Sequence, residues 1–136
     1  MQDDEVFHVM RRVLQEHASR WQAALPELTK PQYAVLRAIH EDSGLEQSAL
    51  IKAAASTKAT LAELLSRLED RGLVVRYGDS RDKRRRYVEL TAEGRRTVLR
   101  AGPVVSEVDE SMIECLRPRE REQLLAMLRR MVPSAD

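Results

Sequence analysis

The sequence predicts a mainly α fold with a small β-hairpin wing: a winged helix-turn-helix set between N- and C-terminal dimerisation helices. Three observations predict it. Apolar residues recur at helical spacing through most of the 136 residues. Two strand-like runs, 73–77 and 86–90, interrupt that periodicity directly after a pair of short helices. The loop between those runs ends in five consecutive charged residues, Arg81 to Arg85.

The chain is the size of one domain, and its 43% hydrophobic and 33% charged residues read as soluble and helix-rich. Aromatic residues are only 4%, so a deep aromatic-lined cavity is not an obvious feature. No apolar run approaches the roughly 18–20 residues that cross a bilayer. The start, Met1 to Glu5, is acidic where a signal peptide is basic. A lone cysteine, Cys115, excludes an intrachain disulfide and fits a reducing cytoplasm. Net charge is only +1, but it is segregated: six basic residues (Arg76, Arg81, Lys83, Arg84, Arg85, Arg86) and two acids (Asp79, Asp82) fall between 76 and 87. The other acids cluster towards the termini.

In chain order, Phe7, Met10, Leu14, His17, Trp21 and Leu25 form one stripe on a first helix, which Pro26 ends. Thr29-Lys30-Pro31-Gln32 is a capping box, with Leu28 and Tyr33 as its hydrophobic staple. The second helix that it opens buries Val35, Leu36 and Ile39 and stops near Ser43-Gly44. A short third helix is expected from about Glu46 to Ala54, with Leu50 and Ile51 inward. Ser56 and Thr57, both good N-caps, precede a fourth helix over 58–71 that buries Leu61, Leu64, Leu65 and Leu68 and ends at Gly72. Two helices around a tight break make a helix-turn-helix, a weak signal alone; the hairpin after it makes the combination specific. Thr91 caps a fifth helix with Val98, Ala101, Val105, Val108, Met112 and Cys115 on its apolar repeat, and Gly102-Pro103 predicts a kink or brief break. Pro118 opens a last helix, with Leu124, Leu125, Leu128 and Met131 on one side.

Three regions follow: a dimerisation helix over 1–28, the winged lobe over 29–91, and dimerisation helices over 92–136. The terminal stripes are too long for so small a lobe to cover, so they are expected to pack on a second copy by two-fold symmetry. A monomeric helical bundle with an attached wing is the alternative.

Over nearly its whole length the chain resembles the MarR family of bacterial transcriptional regulators. The resemblance is carried by Leu28-Thr29-Lys30-Pro31-Gln32-Tyr33, by Leu68-Glu69-Asp70-Arg71-Gly72-Leu73-Val74, and above all by Asp79-Ser80-Arg81-Asp82-Lys83-Arg84 running on to Leu90-Thr91-Ala92-Glu93-Gly94. It implies a homodimer that represses, or in some members activates, nearby genes. It also implies release from DNA by a small aromatic or phenolic acid bound between the dimerisation helices and the lobe. Two residues depart from the family's pattern. Glu46 stands where Ser or Thr usually caps the third helix, and Glu63 stands on the recognition helix where a basic or neutral residue is common. Glu63 either accepts a hydrogen bond from a cytosine amino group or pairs with Arg67 one turn on.

On this reading the recognition helix presents Thr57, Lys58, Ala59, Thr60 and Glu63 to the major groove of double-stranded DNA. Lys58 and the helix N-terminus suit phosphates or guanine acceptors, and Thr60 a thymine methyl or a base edge. In the wing, Arg84 is expected in the minor groove, braced by Asp82, with Arg81, Lys83, Arg85 and Arg86 on phosphates to either side. Two such units about one DNA turn apart predict a pseudo-palindromic operator. The plain alternatives are a solvated helix face and a charged, soluble turn.

Sensor chemistry is less legible. His8 and His17, nine residues apart, lie on opposite sides of one helix, and no His or Cys pair has metal-ligand spacing. Cys115 reads as a buried hydrophobe rather than a redox sensor. By analogy with the family, His8, Arg11 and His17, walled by Trp21, Tyr33 and His40, are candidates for an anionic effector; a satisfied interface histidine and a solvated Arg11 are the alternatives. No P-loop, nucleophile elbow, dinucleotide fingerprint or cofactor motif is present, which argues against an enzyme. The rival functional class is a winged helix that binds another protein.

Overall fold

A computed structural model describes residues 2–42, 44–53 and 57–133. Its elements are α1 (Gln2–Ala24), α2 (Lys30–Glu41), β1 (Leu45–Glu46), a 3-10 turn (Gln47–Ala49), α3 (Leu50–Ala53), α4 (Lys58–Asp70), β2 (Val74–Gly78), β3 (Arg86–Leu90), α5 (Ala92–Ile113) and α6 (Pro118–Met131). The fold is mostly helical, with one antiparallel three-stranded sheet in the order β1-β3-β2. No helix among the described residues is long and apolar enough to cross a membrane.

Local chemistry starts each helix of the lobe. Thr29 closes the expected box: Gln32 N–H donates to Thr29 Oγ1 (3.2 Å) and Thr29 N–H donates to Gln32 Oε1 (3.0 Å). Thr57 accepts from Thr60 N–H (3.2 Å) and Thr91 from Gly94 N–H (3.0 Å), which satisfies donors that the first turn would leave orphaned. The other proposed cap of the fourth helix, Ser56, lies outside the described residues, as do Ser43 and Ala54.

The stretch before α3 differs from the expected helix. Leu45 and Glu46 form a third strand, with Leu45 opposite Val88 and Glu46 opposite Tyr87, and a 3-10 turn follows before the helix proper begins at Leu50. A two-residue strand is too short to show alternation, so the sequence reads it as part of the helix. Leu50 is fully buried while Ile51 packs only at the margin.

The core gathers Val35, Leu36, Ile39, Leu50, Leu61, Leu65, Leu68, Val74 and Val88 under the sheet, and Val98 and Ala101 extend it along α5. Of the kink or brief break expected at Gly102-Pro103, the break is absent, for α5 is helical from Ala92 to Ile113 with Pro103 inside it. An interior proline costs roughly 3 kcal/mol. Val98, Val105 and Val108 are buried on either side of it, each contributing about 1.5–2 kcal/mol, which outweighs that cost.

Beyond the lobe the stripes split. On α1, Trp21 is buried and His17 half-buried against this chain's own α5, while Phe7 (54% exposed) and Leu14 (61%) face outward. On α6, Leu124, Leu125, Leu128 and Met131 are exposed too. Arg121 ties α6 to α5, donating to Glu110 (3.1 Å) and to the Leu116 carbonyl (3.1 Å). Cys115 was expected on the buried repeat of α5. Instead that helix ends at Ile113, and the thiol is exposed in the following turn, 3.8 Å from the Met112 carbonyl.

Candidate nucleic-acid interface and effector cleft

The first turn of α4 is open to solvent. Thr57, Lys58, Ala59 and Thr60 are exposed, whereas Leu61 turns into the core. Thr57 also donates its hydroxyl proton to Thr60 Oγ1 (3.0 Å), so the two hydroxyls fix each other's positions. Glu63 accepts a bond from Arg67 one turn on (2.9 Å), the intrahelical pairing that was one of its two expected roles.

The wing is built from two successive aspartate turns. Asp79 accepts from the backbone N–H of Arg81 (2.8 Å) and Asp82 from that of Arg84 (3.0 Å). In each, a short carboxylate bonds the backbone two residues on and stands in for a turn of main chain. Asp82 also receives the Arg84 side chain, with Nε at 3.2 Å and Nη2 at 3.4 Å. These bonds from Arg84, side chain first and backbone second, hold the Asp82 carboxyl below its ordinary range. Arg84 is 91% exposed while braced in this way, a projecting guanidinium of fixed direction. The expected brace between Asp82 and Arg84 is thus present in the folded chain.

Helix and wing are joined in two places. Arg76 on β2 donates through Nη2 to Ser66 Oγ (3.2 Å) and Glu69 Oε1 (2.9 Å) on α4, and its backbone N–H donates to Glu69 Oε2 (3.3 Å). At the far end, Thr91 donates to the Gly72 carbonyl (2.6 Å) through its hydroxyl and to the Leu73 carbonyl (3.0 Å) through its N–H. Near the tip the two elements border the same space: Lys58, Arg84 and Arg86 line a 210 Å³ cleft together with Glu46, Gln47 and Ser48. Arg85 takes a different course, its Nε lying 3.5 Å from Glu46 Oε1. Arg81 and Lys83 are exposed at the tip.

Three of the six residues put forward for an effector do converge. His17, Trp21 and Tyr33 line a cleft of about 420 Å³ between α1, α2 and α5. Trp21 and Tyr33 meet edge to face at 5.8 Å, and Trp21 donates its indole N–H to the Leu28 carbonyl (2.6 Å). His17 Nε2 lies 2.7 Å from Asp109 Oδ1 across the helix pair. His8 and Arg11 are exposed further up α1, outside this cleft. His40 lines a separate depression beside Glu89 and Arg95. Sequence reasoning missed Lys30, Arg37 and Asp109, which also line the cleft; a neighbour 92 residues away leaves no local signal. A second cleft of similar volume (410 Å³), between the end of α1 and α5, holds no aromatic side chain, and its Arg100 sits 3.6 Å from Glu93.

A recognition helix locked to a cation-tipped wing is the architecture of a winged-helix transcription regulator, and the comparisons with known proteins bear on which kind. The MarR family profile matches residues 28–85. The transcriptional regulator HosA of Escherichia coli is 52% identical, covering 95% of this chain and 96% of that one. The HTH-type transcriptional repressor NicR of Pseudomonas putida is 33% identical over 98% of this chain and 85% of its own. Among solved structures, BpsR of Bordetella bronchiseptica, whose DNA binding is regulated by 6-hydroxynicotinic acid, superposes with a TM-score of 0.85 at 32% identity, covering 93% of this chain and 98% of that one. The chain belongs to the MarR family; it is a DNA-binding transcriptional regulator and not an enzyme.

Proposed function

We propose that the chain acts in the cytoplasm as a homodimeric repressor that binds a pseudo-palindromic operator and leaves it when a small aromatic acid binds. The observation that carries this reading is the rigid coupling of α4 to the wing through Arg76 and Thr91, which sets the open first turn of α4 and the braced Arg84 in one frame. A major groove and the minor groove next to it are likewise set at a fixed spacing, so such a frame reads both at once. Thr57, Lys58, Ala59 and Thr60 meet base edges and phosphates, Arg84 enters the minor groove, and Arg81, Lys83 and Arg86 supply phosphate contacts.

Dimerisation follows from the unpartnered faces of α1 and α6. Phe7, Leu14, Leu125 and Met131 are each about half exposed or more, and a second copy provides the matching surface. The effector reading rests on the cleft of His17, Trp21 and Tyr33. It offers flat aromatic walls for a ring and the cations of Lys30 and Arg37 for a carboxylate, with Arg37 paired to Glu41 (3.0 Å) and His17 to Asp109 (2.7 Å) until an acid takes their place. The likeness to BpsR supports a hydroxylated aromatic acid, and the likeness to NicR supports repression.

The test is to select bound duplexes from a random pool and titrate the winner by fluorescence anisotropy at several salt concentrations, for wild type and Arg84→Ala. A palindromic winner, held by two chains with a steep salt slope that Arg84→Ala flattens by about one unit, is the expected result. Binding that ignores both salt and Arg84 would instead favour a winged helix that docks on protein.

A further inference from the structure

The wing's cations do not all point the same way. Glu46 is the Cα partner of Tyr87 across the β1-β3 pair, and its carboxylate reaches Arg85, two residues before Tyr87. Residues two apart on an extended chain share a side, so Arg85, Tyr87 and Glu46 form one group. Arg84 and Arg86, the neighbours of Arg85, line the cleft that Lys58 also lines, and Arg85 does not. Glu46 lines that cleft too, so the acid both holds Arg85 and sets a negative charge beside Lys58, Arg84 and Arg86.

We propose that Glu46 withdraws Arg85 from the DNA-contacting set and ties the wing's base to the segment that leads into α3, leaving Arg84 and Arg86 to carry the wing's contacts. The inference rests on the DNA-binding reading above. Glu46 occupies the N-cap of the 3-10 turn but makes no side-chain capping bond there, so its carboxylate is left for Arg85. The pair is too exposed, at 55% and 40%, to add much to stability. Its effect is on charge. Each phosphate neutralised by a protein cation releases counterions and steepens the dependence of affinity on salt by about 0.9. A guanidinium already matched to Glu46 contributes little of that release. Glu46 is thus a positioning residue that trades indiscriminate attraction to DNA for a defined wing geometry.

The experiment compares wild type with Arg84→Ala, Arg85→Ala, Glu46→Gln and the double variant Glu46→Gln/Arg85→Ala. Each is titrated from 50 to 200 mM salt against the selected duplex and a scrambled duplex of the same composition. Glu46→Gln is expected to steepen the salt slope by about 0.9, so that its affinity relative to wild type falls about 3.5-fold across that range. Its gain at low salt is expected to be larger on the scrambled duplex than on the selected one. The double variant loses both effects, and Arg85→Ala alone flattens the slope much less than Arg84→Ala does. The proposal is overturned if Glu46→Gln leaves the slope at the wild-type value, if its gain persists in the double variant, or if Arg85→Ala costs as much slope as Arg84→Ala. Should wild type and Arg84→Ala bind both duplexes equally and without regard to salt, the DNA-binding reading fails and takes this inference with it. Arg84-sensitive binding that is blind to Glu46 overturns the inference alone.

Discussion

Glu69 on the recognition helix grips Arg76 on the wing through both its oxygens, one taking the guanidinium at 2.9 Å and the other the backbone N–H at 3.3 Å. Ser66 takes the same guanidinium nitrogen one turn earlier. One arginine thereby ties together the two elements proposed to read DNA, a helix and a strand.

Breaking that grip is expected to hurt specific binding more than general binding. Glu69→Ala leaves the half-buried Arg76 with only Ser66, so affinity for the selected duplex falls while affinity for a scrambled one holds. Comparative anisotropy on the two duplexes checks this. The side-chain bond from Arg76 holds the Glu69 carboxyl below its ordinary value of 4.5. A carboxyl depressed by folding stabilises the folded state above the unfolded value, and that stabilisation disappears as pH falls through the lowered one. The difference in melting temperature between wild type and Glu69→Ala is therefore expected to be constant from pH 7 to about 5 and to close below 4.5. A difference that instead widened on acidification would count against the grip.

Gly94 and Gly72 separate two reasons for a glycine. A Cβ on Gly94 would press into the Leu73 carbonyl, with its carbon only 2.9 Å away, because the first turn of α5 lies directly on the end of the recognition lobe. Gly94→Ala is expected to cost about 3 kcal/mol, or roughly 10 °C in melting temperature. Gly72 has a positive φ of 72° but open space around it, so Gly72→Ala is expected to cost about 1 kcal/mol. Thermal melts of the two variants give the ratio directly.

Trp21 is the only tryptophan and stands in the wall of the effector cleft. Its fluorescence is expected to change saturably on titration with 6-hydroxynicotinic or a hydroxybenzoic acid, with benzene as the control that gives no response. Arg37→Ala is expected to weaken the acid's binding about tenfold or more, the cost of one charge-assisted bond. An unchanged Kd would move the carboxylate elsewhere.

The exposed halves of α1 and α6 predict a concentration-dependent particle. Leu14→Glu or Leu128→Glu is expected to shift the sedimenting species from two chains to one, and to weaken operator binding steeply since both half-sites are then lost together.

What the sequence revealed and what it hid divide by range. Thr29, Thr57 and Thr91 were legible as caps because a cap bonds a partner three residues away. The wing's brace and the Glu63–Arg67 pair span two and four residues, and both could be read before the fold was known. Everything joining distant segments stayed hidden: the strand at Leu45–Glu46, the Glu46–Arg85 contact, and Asp109 beside His17. Gly102-Pro103 produced no break because local breaking tendencies are audible in sequence, whereas the apolar face that overrides them is assembled from elsewhere. Cys115 misled for the reverse reason. The repeat continued on paper past Ile113, where the helix stops.

Because α5 runs unbroken past Pro103, it joins the proposed effector cleft at Asp109 to the wing's root at Gly94 as one continuous helix. Fifteen residues at the helical rise make an arm of about 22 Å. Tilting that arm by about 5° at the Asp109 end carries Gly94, and with it Leu73 and the wing, through about 2 Å. Hydrogen bonds to base edges do not survive a displacement of that size. A broken helix would absorb such a tilt at the break; on the proposed effector reading, the unbroken one carries a small wedge between α1 and α5 through to the DNA-reading end.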